Sequence, residues 1–106
     1  MEKNIMSMIA RISDISSLQK DLATRNTYID RMVANERRAF SDEEIKQYKE
    51  NQKRIEICEK ERVALKEAIR QKMEQDKKLV KELKQSDIKE PSILYMLATM
   101  ESEKER

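Results

Sequence analysis

Residues 35–44 read Asn-Glu-Arg-Arg-Ala-Phe-Ser-Asp-Glu-Glu, and how this stretch is parsed decides the fold. Ser41-Asp-Glu-Glu44 fits a capping box, in which a serine side chain accepts from the third helical N–H and a glutamate reaches back to the cap. Asp42, Glu43 and Glu44 also put negative charge where a helix dipole favours it. A new helix is therefore expected to start at residue 42. The preceding segment, about 38–41, is expected to be a turn, although no glycine or proline enforces a break and an uninterrupted helix through Phe40 also fits.

Residues 4–40 carry one apolar stripe, most of it on a helix expected over about 4–38. Ile5, Met8, Ile12, Ile15, Leu22, Ile29, Val33 and Phe40 recur at three- and four-residue steps, with Leu18 and Met32 widening the face. That spacing gathers them on one side of a helix. Counting Ile5 and Met8 as a and d of a heptad puts Gln19 and Asn26 at a. A polar residue there costs stability but can fix register and partner number; equally, the two can mark the edge of a drifting stripe.

Downstream, a helix over about 42–85 presents Tyr48, Ile55, Cys58, Leu65, Ile69, Met73, Val80 and Leu83, with Leu79 beside them. Its opposite side carries Glu-to-basic pairs four apart, Glu50–Arg54, Glu56–Lys60 and Glu74–Lys78. Each is worth about 0.2–0.5 kcal/mol. Arg62 and Asp76 fall on the apolar side, as edge residues or as contacts to a second chain. Pro91 disfavours helix at Glu90 and suits a first helical position, so it separates a short third helix. Residues 92–100, Ser-Ile-Leu-Tyr-Met-Leu-Ala-Thr-Met, are the most apolar block, and an acidic tail follows.

The chain is thus expected to be all-α. Residues 1–87 form a long antiparallel, coiled-coil-like hairpin, and residues 88–106 a short C-terminal helix with its tail. Composition agrees: 42% of the 106 residues are charged and 4% aromatic, with one proline and no glycine. Glycine-free chains are poorly equipped for tight β-turns and left-handed helix ends. A lone hairpin leaves the stripe edges wet, so dimerisation into a helix bundle is expected, the other remedy being the 92–100 helix folded back over the open end. Its packing or dimer core comprises Ile12, Ile15, Leu22, Ile29, Val33, Tyr48, Ile55, Leu65, Ile69, Met73, Val80 and Leu83.

Residue chemistry argues against catalysis. There is no histidine, which removes the usual acid–base group near neutrality and the common triads. One cysteine cannot make a zinc site, and no glycine-rich loop cradles a phosphate. No cofactor or metal is expected. Cys58 shares a face with Ile55 and Leu65, where a free thiol acts as a small hydrophobe; a redox role would need exposure beside Lys60 and Arg62.

Lys and Arg total 23 against 21 Asp and Glu. Residues 1–40 hold 7 basic and 5 acidic groups, residues 41–87 hold 13 and 12, and residues 88–106 hold 3 and 4. No segment has the basic excess of a nucleic-acid binder. The apolar run Ile93–Ala98 is too short to span a bilayer. With a lone cysteine and no signal-peptide pattern at the N-terminus, a cytoplasmic location is expected.

These features point to a non-enzymatic adaptor or small chaperone offering an amphipathic helical surface to a protein partner. Its docking residues are expected to be Ile93, Leu94, Met96, Leu97 and Met100. Methionine thioethers adapt to varied surfaces, although most of the seven can equally fill cores. A scaffold or stalk in a larger assembly is the alternative. A small nucleic-acid-binding dimer using Arg37, Arg38, Lys53 and Arg54 ranks below it, because Glu36, Glu50 and Glu56 lie among those residues. If the docking reading holds, deleting residues 88–106 leaves the helices intact and abolishes partner co-purification; a far-UV dichroism spectrum that loses helix beyond the deleted segment would contradict it.

Overall fold

The computed structural model describes residues 3–104, with side chains from Asn4 to Met100. Four helices follow one another: α1 (Lys3–Glu36), α2 (Asp42–Gln75), α3 (Lys77–Gln85) and α4 (Pro91–Lys104). Contacts divide the chain into two units. One takes in the chain up to Ser13 and from Arg62 onward, and the other is Asp14–Glu61.

The Asp14–Glu61 unit is a helical hairpin. Gln19 Nε2 donates to Glu59 Oε2 at 2.9 Å and to the Ile55 carbonyl at 3.3 Å. Further along α1, Asn26 reaches the earlier residues Tyr48 and Asn51 of α2. Later residues of α1 meet earlier residues of α2, so the two helices run antiparallel. Ile15, Leu22, Val33 and Cys58 are buried in this unit, while Ile29, Tyr48 and Ile55 are half-buried.

The seam also contains amides. Asn26 and Asn51 are 4% and 0% exposed. Asn51 Nδ2 donates to Asn26 Oδ1 at 2.9 Å, Asn26 Nδ2 to the Tyr48 carbonyl at 3.3 Å, and Gln47 Nε2 to Asn51 Oδ1 at 3.0 Å. Among the described residues no buried side-chain N or O lacks a partner. Asn26 therefore acts as a register-setting polar residue. Slipping the helices by one turn would leave two amides buried without partners, at about 1–3 kcal/mol each.

The turn closes without glycine. Arg38 N donates to the Val33 carbonyl at 3.3 Å and Arg37 N to that of Ala34 at 3.2 Å. These are the two bonds of a Schellman ending, and Arg37 takes its left-handed position at φ 50°. A non-glycine residue there costs about 1–2 kcal/mol. The capping box then opens α2: Glu44 N donates to Ser41 Oγ at 3.1 Å and Ser41 N to Glu44 Oε1 at 2.9 Å.

In the other unit, residues of all four helices share one core. Ile5, Ile9 and Ile12 of α1 meet Ile69 and Met73 of α2, Leu79, Val80 and Leu83 of α3, and Ile93 and Leu97 of α4. Leu65 packs against this cluster, half-buried.

The single helix expected over 42–85 is two helices. Asp76 leaves helical geometry at φ −134°, ψ 97°, and its side chain accepts from Lys78 N and Leu79 N at 3.0 and 3.3 Å. A short carboxylate that satisfies nearby N–H groups competes with the helix and then caps the next one. Asp76 thus has a role neither expectation gave it, as the exposed N-cap of α3. The break also separates Glu74 from Lys78, and Glu74 pairs instead with Arg70 at 3.3 Å.

Most of the expected dimer-core residues are covered within one chain. Ile12, Ile15, Leu22, Val33, Ile69, Met73, Val80 and Leu83 are all at most 7% exposed. Ile12, Ile69 and Met73 are covered by residues of α3 and α4, while Ile29, Tyr48, Ile55 and Leu65 are half-buried.

Two outcomes follow. Arg37→Gly relieves the left-handed conformation and should stabilise the hairpin by about 0.5–1 kcal/mol, less than the full steric cost because glycine loosens the unfolded chain; an unchanged or lower denaturation midpoint contradicts this. Asn51→Ala strands Asn26 and should cost roughly 1–3 kcal/mol. Urea melts of that variant beside Gln52→Ala, an exposed neighbour, measure the difference.

Candidate functional site

The five residues expected to receive a partner are not all available to one. Ile93 and Leu97 sit inside the chain's own core at 0% and 6% exposed. Met96 and Met100 are half-buried and pack against that core. Leu94 is 47% exposed, and its neighbour Tyr95, which the expectation passed over, is 74% exposed.

The reason lies in how α4 starts and docks. Pro91 occupies the first helical position, and the Glu90 carbonyl accepts from Ile93 N and Leu94 N, both at 3.1 Å. Arg62, half-buried on α2, donates from Nη1 to Ser92 Oγ at 3.4 Å, which accounts for an arginine on the apolar side. With α4 seated this way, Ile93 and Leu97, one turn apart, face inward. Leu94 and Tyr95 are carried round to the outside.

Beside the seated face lies a groove of about 170 Å³, lined by Tyr95, Met96, Thr99 and Met100 of α4 and by Arg70 and Glu74 of α2. Its walls combine two thioethers, a phenol and an Arg–Glu ion pair. Apolar surface thus lies beside charged hydrogen-bonding groups.

A second depression, of about 330 Å³, lies near the hairpin turn, lined by Asp30, Phe40, Ile45, Tyr48 and Lys49. Phe40 directly precedes the Ser41 cap and Ile45 is the fourth helical residue, the two positions of a hydrophobic staple. The Phe40 and Tyr48 rings meet edge to face, with centroids 6.3 Å apart and planes at 75°. Phe40 and Ile45 remain 40% and 39% exposed.

Charge braces this corner. Arg38 donates from Nη1 to Glu44 Oε1 at 2.6 Å and from Nη2 to Oε2 at 2.9 Å, a bidentate pair. Arg38 Nε also donates to Glu36. The Arg38 guanidinium, together with the N–H and hydroxyl of Ser41, holds the Glu44 carboxyl down at about 2, and Glu44 with Glu36 pushes the Arg38 pKa up.

Sequence reasoning missed Asn51 and Tyr95, yet each had a signal. Asn51 falls in the three- and four-residue steps Tyr48, Asn51, Ile55, Cys58, and its polarity hides it from a search for apolar residues. Tyr95 belongs to a helix with apolar residues on every side.

No family model, curated protein or solved structure matches the chain. Among the described residues, no group of three His, Cys, Asp or Glu side chains could hold a metal ion. Among the described residues no helix is long and apolar enough to cross a membrane.

Because Ile93 and Leu97 are core, the earlier expectation for deleting residues 88–106 changes. The deletion should destabilise its unit by roughly 1.5–3 kcal/mol for each of these two side chains; a urea midpoint equal to that of the intact chain contradicts the burial. Acid provides a second check. The Glu44 carboxyl is lowered on folding, so its contribution is complete above the ordinary carboxylate pKa near 4.5 and is lost as pH falls toward about 2. Glu44→Gln should therefore flatten the fall in melting temperature over that window.

Proposed function

We propose that the chain is a non-enzymatic protein-binding adaptor or small chaperone that receives an amphipathic helix of another protein on the outer face of α4. One observation carries this reading. Apolar residues surround the first ten residues of α4, and the chain covers only the side that holds Ile93 and Leu97. A helix apolar all round is ordinarily buried all round. Leu94 and Tyr95 are instead left to solvent, beside a groove whose two methionines can adapt to what enters it.

The partner helix would lay apolar side chains across Leu94 and Tyr95 and insert one beside Met96 and Met100. The Arg70–Glu74 pair at the rim would take its flanking polar groups. Tyrosine suits such a position because it supplies large contact area with few rotatable bonds and a polar tip. The mixed charge of the chain favours protein over nucleic acid. A lone, buried, free cysteine suits a reducing compartment such as the cytoplasm.

Site-specific photocrosslinking tests the reading. A photoreactive residue in place of Tyr95, in cells that express the protein, should capture a discrete partner that the same residue at exposed Lys81 does not. Adding Leu94→Asp should abolish the capture while leaving the helical spectrum unchanged. Equal capture at both sites, or capture indifferent to Leu94→Asp, removes the α4 docking site. Assemblies larger than a dimer in light scattering at micromolar concentration would favour the scaffold role instead.

A further inference from the structure

We propose that the outer face of α3 is a docking site for a short acidic segment of a partner protein, held by Lys77, Lys78 and Lys81. It concerns a different surface and a different occupant from the α4 reading, and it stands or falls separately.

The first argument is that the charge is one-sided. At 3.6 residues per turn, Lys77, Lys78, Lys81 and Lys84 fall within about a third of the helix circumference, and all four are exposed. Leu79, Val80 and Leu83 take the buried side. Over its nine residues α3 carries four lysines and one acid, Glu82, whereas α2 carries nine basic and nine acidic residues. Glu82 is half-buried at the edge of the lysine arc rather than within it. The Asp76 carboxylate before the helix accepts from the backbone N–H groups of Lys78 and Leu79. Among the described residues no ion pair involves Lys77, Lys78 or Lys81.

The second argument is that this arrangement works against the helix that carries it. Lys77 and Lys78 stand in the first turn of α3, which holds no acid, and the positive end of the helix dipole disfavours cations there. Lys77 and Lys81 are a like-charged pair four apart, and Lys81 lies three from both Lys78 and Lys84. Such pairs repel. The start of α2 shows the opposite choice, with Asp42, Glu43 and Glu44 in its first turn. An anionic occupant would relieve both conflicts at once. Departures from local rules of this kind are characteristic of functional surfaces.

The third argument selects the occupant. Lys77 to Lys84 covers about 10 Å along the axis, with Glu74 and Asp76 before it in sequence and Asp87 and Glu90 after it. Carboxylates on alternate residues of an extended segment stand about 6.6 Å apart, close to the roughly 6 Å of axis between Lys77 and Lys81. A short acidic stretch can end where the lysines end. The phosphates of a nucleic acid would continue past both ends into carboxylates. An anionic membrane would meet the same carboxylates, and α3 has no apolar side left to insert, because Leu79, Val80 and Leu83 are in the core.

Fluorescence anisotropy with the full chain and a labelled 12-residue peptide, its central six residues glutamate, tests this. Affinity should weaken on the order of tenfold from 50 to 300 mM salt. The triple variant Lys77→Gln, Lys78→Gln, Lys81→Gln should also lose on the order of tenfold in affinity, while its urea midpoint equals or exceeds that of the native chain because the repulsion is gone. Lys46→Gln with Lys49→Gln and Lys53→Gln removes the same charge from α2 and should change affinity by about twofold at most. Tyr95→Ala should have no effect, which separates this site from α4. No binding at millimolar peptide, an equal loss in the α2 variant, a loss with Tyr95→Ala, or tighter binding of a 12-base single-stranded DNA or of phosphatidylserine-containing vesicles would each overturn the proposal.

Discussion

Two amides buried in a seam of aliphatic side chains govern the hairpin. Asn26 and Asn51 satisfy each other, and Tyr48 and Gln47 take the remaining hydrogen bonds. Aliphatic contacts are tolerant of sliding, because one leucine or isoleucine packs much like another. An amide buried away from its partner is not tolerated. The pair therefore converts a greasy stripe with several near-equivalent alignments into one register. The antiparallel order of contacts, the five-residue turn and the depression beside it are all consistent with that single alignment.

A chain without glycine must end and redirect its helices by other means, and it uses three. Arg37 takes the left-handed position and its neighbour Arg38 grips Glu44 across the turn. Asp76 breaks a long helix and caps the one that follows. Pro91 opens α4 where its missing N–H costs nothing. At Asp76 a carboxylate satisfies backbone donors and at Pro91 a ring removes one, whereas at Arg37 a charged residue takes the conformation that glycine adopts without steric cost.

The two apolar surfaces differ in kind. The α4 face arises because one apolar helix has more sides than the chain can cover. The depression at the turn arises because a rigid, charge-braced corner holds aromatic and aliphatic side chains partly in solvent. Protein recognition is proposed for the α4 face because it uses the apolar surface that the chain leaves uncovered there.

Helical periodicity, the capping box at Ser41 and the proline at residue 91 were enough to determine the helices, a turn near residue 38 and a separate short helix. These are local effects, settled by spacing, φ restriction and neighbouring N–H groups. Asp76 was a local break too, but in sequence a single aspartate on a long charged helix looks like any other surface acid. What only tertiary structure decided was which apolar faces stay wet. Ile93 and Leu97 became core while Leu94 and Tyr95 did not, and Asn51 became the most buried polar residue of the hairpin seam. Those outcomes depend on how distant segments meet, and periodicity along one helix carries no information about its neighbour.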